Sequence, residues 1–380
     1  MKKYKYIENP FIYGEAVTGK NFCDRNEEIA RLKMDLMSSQ KVFLISSRKM
    51  GKTSLIKMVL EEIKKEGLTA VFVDIEGFSS YKDFLDGYLL ELVKEFTTTD
   101  RIVSFIRSAL PGLRVEIKIN ESGGPVLSLG YSRSEPDLEK VATKIYNIPE
   151  IIVRKKKKKV VIVFDELQEI LKLNGEKIEG ILRGIIQHQR DVGYIFAGSK
   201  KHLLTDMVSS PGRPFYKIGP VMHLKKIPEK DFLQFAKSKF ESTKVRISDE
   251  TLCEIIEIAE NIPYYVQMFC HELWDYRILK KEIKREDVKL VVNQVAKQHS
   301  QDFYLGWSRM ILSKRRLLRA IATQGGHNIF SQRFLKGSEL GYPSSVSRTL
   351  SALMEEGYLE RENDEYFITD LLFREWIKNL

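Results

Sequence analysis

Apolar residues fall in short blocks along the first 227 positions and at helical spacing along much of the rest. Residues 41–46 (KVFLIS) are mostly apolar and run into a glycine-containing loop, which predicts a buried strand. Leu55, Ile56, Val59, Leu60 and Ile63 then recur every three to four positions and predict a helix from Thr53 to Lys65. A second strand is expected at Ala70–Ile75 and a helix at Tyr81–Phe96. Leu113–Ile119 and Val126–Tyr131 flank Glu-Ser-Gly-Gly, the pattern of a β-hairpin. A helical stretch from Pro136 to about Val153 leads into Val160–Phe164, a strand apolar throughout. Another helix is expected over Lys177–Gln189, followed by strands at Tyr194–Ala197 and near Val221–Leu224. Strands alternating with helices predict a parallel α/β sheet. After about Ile227 the strand pattern stops. Residues 228–299 carry helical periodicity, broken at Pro263 and near Arg285. From about 310 a small module ends in two short strand candidates, Tyr358–Arg361 and Tyr366–Ile368.

Composition narrows the class without choosing a function. At 380 residues, 43% hydrophobic and 30% charged, the chain is an ordinary globular protein with room for two or three domains. No apolar run approaches the ~18–20 residues that span a bilayer. The opening MKKYKYIENPFIYG has no apolar stretch behind its lysines and does not read as a secretory signal. Cys23, Cys253 and Cys270 are widely spaced and odd in number, the six histidines show no ligand spacing, and neither set predicts a zinc or disulfide framework. The expectation is a cytoplasmic protein with no membrane association. The formal charge of +10 raises the question of nucleic acid. Its densest run, Arg154–Lys159, reads as a solvated helix end or turn ahead of an apolar strand, with a phosphate-binding patch as the alternative.

Chemistry concentrates at two places. Ser46-Ser47-Arg48-Lys49-Met50-Gly51-Lys52-Thr53-Ser54 leaves a buried strand and enters a helix. In that context backbone N–H groups and the helix N-terminus surround phosphate oxygens, and a lysine neutralises the β- and γ-phosphates. Lys52 fits the lysine, and the Thr53 hydroxyl fits a Mg2+ ligand. The first position carries Ser46 where GxxxxGK[ST] has glycine, which is acceptable if Ser46 keeps an ordinary backbone conformation. The second place is Asp165-Glu166, at the end of the apolar strand Val160–Phe164. Asp165 suits a Mg2+ ligand, and Glu166 suits polarisation of an attacking water. Together they predict an ATP/ADP site.

These motifs, in this order, resemble the STAND branch of AAA+ ATPases, and in particular archaeal and bacterial ATPases with a C-terminal winged helix. Phe22-Cys23-Asp24-Arg25-Asn26-Glu27-Glu28-Ile29 is similar to that family's entry motif, which lies near adenine; Arg25 carries the match and Asp24 replaces the usual glycine. Ala197-Gly198-Ser199 ends the strand of the sensor position, which implies that Ser199 stands near the γ-phosphate. Asn261-Ile262-Pro263-Tyr264-Tyr265 resembles the lid motif, with asparagine for its glycine, and implies that Pro263 packs near the nucleotide. Tyr366-Phe367-Ile368-Thr369-Asp370-Leu371-Leu372 is similar to the end of the family's winged helix, with threonine where related proteins carry the histidine of Met-His-Asp. Arg213 follows the sensor strand, where a phosphate-sensing arginine or a merely solvated one is possible.

The resemblance covers residue 8 to the end and implies an α/β P-loop NTPase followed by an all-α lid and a C-terminal winged-helix domain. It divides the chain into a lead-in over 1–40, a core over 41–227 with the hairpin insertion at about 113–131, a lid over 228–300 and a winged helix over 301–380. The expected recognition helix runs from about Ser344 to Glu356. Over residues 301–380 there are 11 Lys/Arg against 10 Asp/Glu, a net charge of +1. The helix offers Arg348 against Glu355 and Glu356, and the wing carries Glu360, Glu362, Asp364 and Glu365. Electrostatic attraction to DNA would therefore be weak there, although Ser344, Ser345, Ser347 and Arg348 could still meet bases. The expected function is a nucleotide-operated switch with slow hydrolysis, in which the winged helix acts within the molecule and a protein partner is possible. An ATP-regulated DNA-binding protein and a non-hydrolysing nucleotide-binding scaffold are the alternatives.

Overall fold

The computed structural model describes residues 8–96, 114–119, 125–130, 135–173, 175–276, 282–362 and 364–380. The Glu-Ser-Gly-Gly turn and its neighbours Leu113 and Tyr131 lie outside the described residues. The chain forms two compact units, one of Tyr13–Ile227 and one that joins Met1–Ile12 to Pro228–Leu380.

The Tyr13–Ile227 unit is built on strands β1 (Lys41–Ile45), β2 (Thr69–Asp74), β5 (Val160–Asp165), β6 (Val192–Gly198) and β7 (Val221–His223), with β3 (Arg114–Ile119) and β4 (Pro125–Gly130) paired separately as an antiparallel hairpin. The main sheet has the order β2-β5-β6-β1-β7, and every pairing in it is parallel. All residues of β5 and β6 are buried. That explains their unbroken apolar runs, because a parallel strand covered on both faces has no polar side to show. Phe164 on β5 stacks on Phe196 of β6 with ring centroids 6.0 Å apart, and Phe43 of β1 lies 4.9 Å from Phe196. Each such ring contributes about 1.5–3 kcal/mol by leaving water.

Two elements differ from the sequence pattern. The stretch expected as one helix from Pro136 to Val153 is two, Glu135–Tyr146 and Ile148–Lys156. Pro149 sits in the first turn of the second, where its missing N–H costs nothing, and it prevents the first helix from continuing. The basic run closes that second helix: Arg154, Lys155 and Lys156 occupy its last turn, Lys157 turns left-handed at φ 52°, and all four are exposed. Cations at a helix C-terminus complement its dipole.

The other unit holds helices Glu229–Ser242, Asp249–Ile258, Pro263–Asp275 and Arg285–Gln298. Where only helix was expected, Arg246–Ile247 and Glu282–Ile283 pair as a short parallel ladder. Residues near the start of the chain are fastened here. Asn9 donates to the His271 carbonyl and to Asp275, each at 3.0 Å, and the Phe11 ring lies tilted against that of Phe240, with centroids 4.7 Å apart. Lys239 donates to the Pro10 carbonyl at 2.5 Å.

The final module contains helices Leu312–Gln324, Gln332–Gly337 and Pro343–Glu355, the antiparallel strands Leu359–Glu362 and Glu365–Ile368, and helix Leu371–Lys378. Leu317, Leu318, Ile321, Val346, Leu350 and Leu353 form its core. Asp370 caps the last helix, accepting from the Leu372 and Phe373 N–H groups at 2.9 and 3.1 Å. Two contacts tie that helix to the lid: Leu371 N–H donates to the Tyr265 hydroxyl at 3.0 Å, and Arg374 pairs with Glu260 at 2.5 Å. No helix among the described residues is long and apolar enough to cross a membrane.

Candidate nucleotide site

The loop after β1 is shaped by two left-handed residues, Lys49 at φ 67° and Gly51 at φ 79°, before helix Lys52–Lys65 begins. Ser46 is not among the positive-φ residues, so serine at the first loop position carries no left-handed strain. Its side chain is fully buried, and its hydroxyl has no hydrogen-bond partner. Arg48 is exposed, whereas Ser47 and Lys49 are half-buried and Met50 is buried. Ser54 accepts a 3.0 Å hydrogen bond from the Val17 N–H.

Lys52, at the helix start, is only 6% exposed and lies between the two acids of β5. Its ammonium donates to Asp165 Oδ1 at 2.5 Å and to Glu166 Oε1 at 2.6 Å. Thr53 Oγ1 donates to the other oxygen of Asp165 at 2.9 Å. The sheet order explains the meeting. β6 stands between β1 and β5, so the loop and the acids converge over the same end of the sheet, where α/β folds bind ligands.

Glu166 carries the second half of the site. It turns left-handed at φ 51°, and its Oε2 accepts from Ser199 Oγ at 2.7 Å and from Gln168 Nε2 at 2.6 Å. Burial would raise its pKa, but the charge of Lys52 and the hydrogen bonds from Lys52, Ser199 and Gln168 outweigh that and hold it below the usual carboxylate value. Glu166 is thus ionised at neutral pH. Gln168 was not anticipated. It is 2% exposed, its Oε1 has no partner, and it sits where a Cβ on Gly198 would lie 2.0 Å from that oxygen. The available signal was Asp-Glu-Leu-Gln, a glutamine two residues beyond the acid pair.

The remaining expected residues are distributed unevenly. Arg25, 3% exposed and left-handed at φ 77°, pairs with Glu28 at 2.8 Å and reaches the Met50 carbonyl of the loop at 3.4 Å. Asp24 before it is also left-handed at φ 53°, which explains how aspartate stands in a glycine position. Arg213 turns to helix Gly175–Ile186 instead of the lysine cluster. It pairs with Glu179 and, at 2.9 Å, with Glu176. Burial raises the Glu179 carboxyl to about 7, against the opposing charge of Arg213. Pro263 belongs to the other unit, in the first turn of helix Pro263–Asp275, after Asn261 at φ 57°.

The donors around Lys52 are carboxylate and hydroxyl oxygens, the set that Mg2+ prefers. Among the described residues no group of three or more His, Cys, Asp or Glu could hold a metal.

A strand that passes through a lysine-bearing loop into a helix, with an acid pair on a parallel strand facing that lysine, defines a P-loop nucleoside-triphosphatase. The chain belongs to the family whose profile is described as an ATPase domain predominantly from Archaea, which matches residues 22–269; a second profile, a probable winged helix domain, matches residues 301–379. No curated protein matches the sequence significantly. Among solved structures, the Walker-type ATPase PABY2304 of Pyrococcus abyssi is similar at 18% identity and TM-score 0.63, over 94% of this chain and 97% of that one. The ORC2 protein of Aeropyrum pernix, in ADPNP–ADP complexes, is similar at 15% identity and TM-score 0.57, over 98% and 96%. The ORC1 protein of the same organism, solved with DNA, gives 13% identity and TM-score 0.51, over 94% and 93%. At these identities the likeness establishes a shared fold.

Proposed function

We propose that this protein binds ATP with Mg2+ at Ser46–Ser54 and Asp165–Glu166, hydrolyses it slowly, and uses the cycle as a conformational switch of its lid and winged helix. The observation that carries this reading is Lys52 within 2.6 Å of both acids, with Thr53 on the same Asp165. Lys52 and the loop amides would bind the β- and γ-phosphates. Thr53 and Asp165 would hold Mg2+, which shields phosphate charge. Glu166, kept ionised and fixed through both oxygens, would orient the attacking water, with Ser199 beside the γ-phosphate. Arg25 would support the loop from the adenine side through Met50, and Pro263 would act from the lid.

Lys52→Ala should lose ATP binding, because the charge it removes serves phosphates, and should also lose some stability, because Asp165 and Glu166 lose their cation. Calorimetry checks this, and ordinary ATP affinity in a folded variant would reject the site. The DNA-regulator reading keeps one point in its favour, the ORC1 neighbour solved with DNA.

A further inference from the structure

The winged-helix module is nearly neutral as a whole and strongly polarised within. Residues 312–338 contain six Lys/Arg and no Asp or Glu, whereas eight of the module's ten acids fall between 355 and 375. The basic half is helices Leu312–Gln324 and Gln332–Gly337; the acidic half is the end of the expected recognition helix, the wing and the closing helix. A groove of about 600 Å3 runs along the basic half. Arg315, Arg316, Arg319, Thr323 and Gln324 line one side, on a single helix face at spacings of three and four. Gly337, Ser338 and Glu339 line the other, and Trp307 also contributes to the lining.

Some of these cations are already engaged. Lys314 pairs with Glu356, Arg316 with Glu339 at 3.1 Å, and Arg315 donates to the carbonyls of Met310 and Ser308 at 2.8 and 3.2 Å. Arg319, Arg333 and Lys336 are exposed and, among the described residues, have no acidic partner. Arg319 lines the groove itself, and Arg333 and Lys336 stand on the short helix whose last residue, Gly337, lines the groove's other side.

We infer that this groove is a binding site for the phosphate backbone of duplex DNA, and that the module meets DNA on helices Leu312–Gln324 and Gln332–Gly337 rather than on helix Pro343–Glu355 and the wing. Guanidinium forks interleaved with Thr323, Gln324 and Ser338 form the donor set that holds phosphate oxygens and sugars. The wing presents Glu360, Glu362, Asp364 and Glu365, and its Arg361 is already paired with Asp364. Those carboxylates repel a phosphate backbone at the place where a winged helix would otherwise touch it. A backbone-only contact reads no bases, so binding is indifferent to sequence and steep in salt. This inference does not depend on the nucleotide site.

The test is fluorescence anisotropy of the full-length protein with a random-sequence DNA duplex over a salt series. Wild type should bind at low salt. Arg319→Glu/Arg333→Glu/Lys336→Glu should weaken binding by about 100-fold and lower the log–log salt slope by about 2.7, at roughly 0.9 per lost phosphate contact. Arg348→Ala/Arg361→Ala should stay within about twofold of wild type. An unchanged circular dichroism spectrum and thermal melt show that the triple variant is folded, and neither readout depends on the fate of the nucleotide reading. Four results overturn the inference: no duplex binding by wild type, loss of binding only in the Arg348/Arg361 variant, preference for single strands, or equal competition by polyglutamate of matching charge. The last would mark the groove as a dock for an acidic protein segment.

Discussion

At Glu166 the chain spends three side chains on holding one carboxylate. Lys52 takes Oε1, and Ser199 and Gln168 both take Oε2. The group is thereby ionised and fixed in direction, a combination that suits aiming a water more than removing its proton. Glu166→Gln should bind ATP and hydrolyse it about 100-fold more slowly, because the neutral amide polarises and holds the attacking water less well than the carboxylate. Gln168→Ala should lower kcat with little change in KM, while Gln168→Glu should do worse, since it sets a second carboxylate against the first. A Gln168→Ala enzyme whose single-turnover rate matches wild type would leave that glutamine a packing residue under Gly198. The lysine, threonine and acid pair were legible because each follows or ends an apolar strand. Gln168 was not, because its role depends on a turn that folds it back onto its own neighbour, and on the absence of a side chain at Gly198 thirty residues later.

Among the elements, the strands of the central sheet were the easiest to read and the helices harder. β5 and β6 are buried on both faces, so their sequences carry no polar interruption to misplace them. The helix expected through 136–153 was miscounted because periodicity alone does not register Pro149 as a new start. Helix Gly175–Ile186 shows a different limit. A charged residue, Glu179, stands on the buried face with Ile178, Leu182 and Ile186, where it is fully buried and matched to Arg213. Its carboxyl is pushed from 4.5 to about 7 by burial, so the folded protein binds a proton there that the unfolded chain has released. Stability contributed by this group is therefore highest below about 4.5 and declines as pH rises toward 7. Denaturant titrations between those values should show that decline in wild type, and Glu179→Gln should flatten it. An equal slope in both proteins would assign the pH dependence elsewhere.

At the scale of the whole molecule, the lid and the winged helix belong to one compact unit, joined by Arg374–Glu260 and by Leu371 to Tyr265. Any switch that moves the winged helix therefore moves the lid, unless these contacts break. Asp370 has a structural duty as helix cap, and Asp370→Ala should cost about 1 kcal/mol of stability on that account alone. If the winged helix also senses nucleotide, the same change should raise the ADP off-rate measured by stopped flow. Lower stability with an unchanged off-rate would confine Asp370 to capping. Thr369 donates to the Gly357 carbonyl at 2.7 Å, so this threonine serves the module's own backbone.

The fastening of Asn9, Pro10 and Phe11 onto helices Glu229–Ser242 and Pro263–Asp275 sets an order of events on the ribosome. Asn9, Pro10 and Phe11 emerge more than two hundred positions ahead of their partners. At ~5–20 residues per second, Phe11 waits on the order of tens of seconds for its aromatic neighbour, while the whole P-loop unit is synthesised between them. The nucleotide-binding half can complete itself during that interval. The other half cannot, and a fragment starting at Pro228 would be born lacking the strip of chain that covers Phe240.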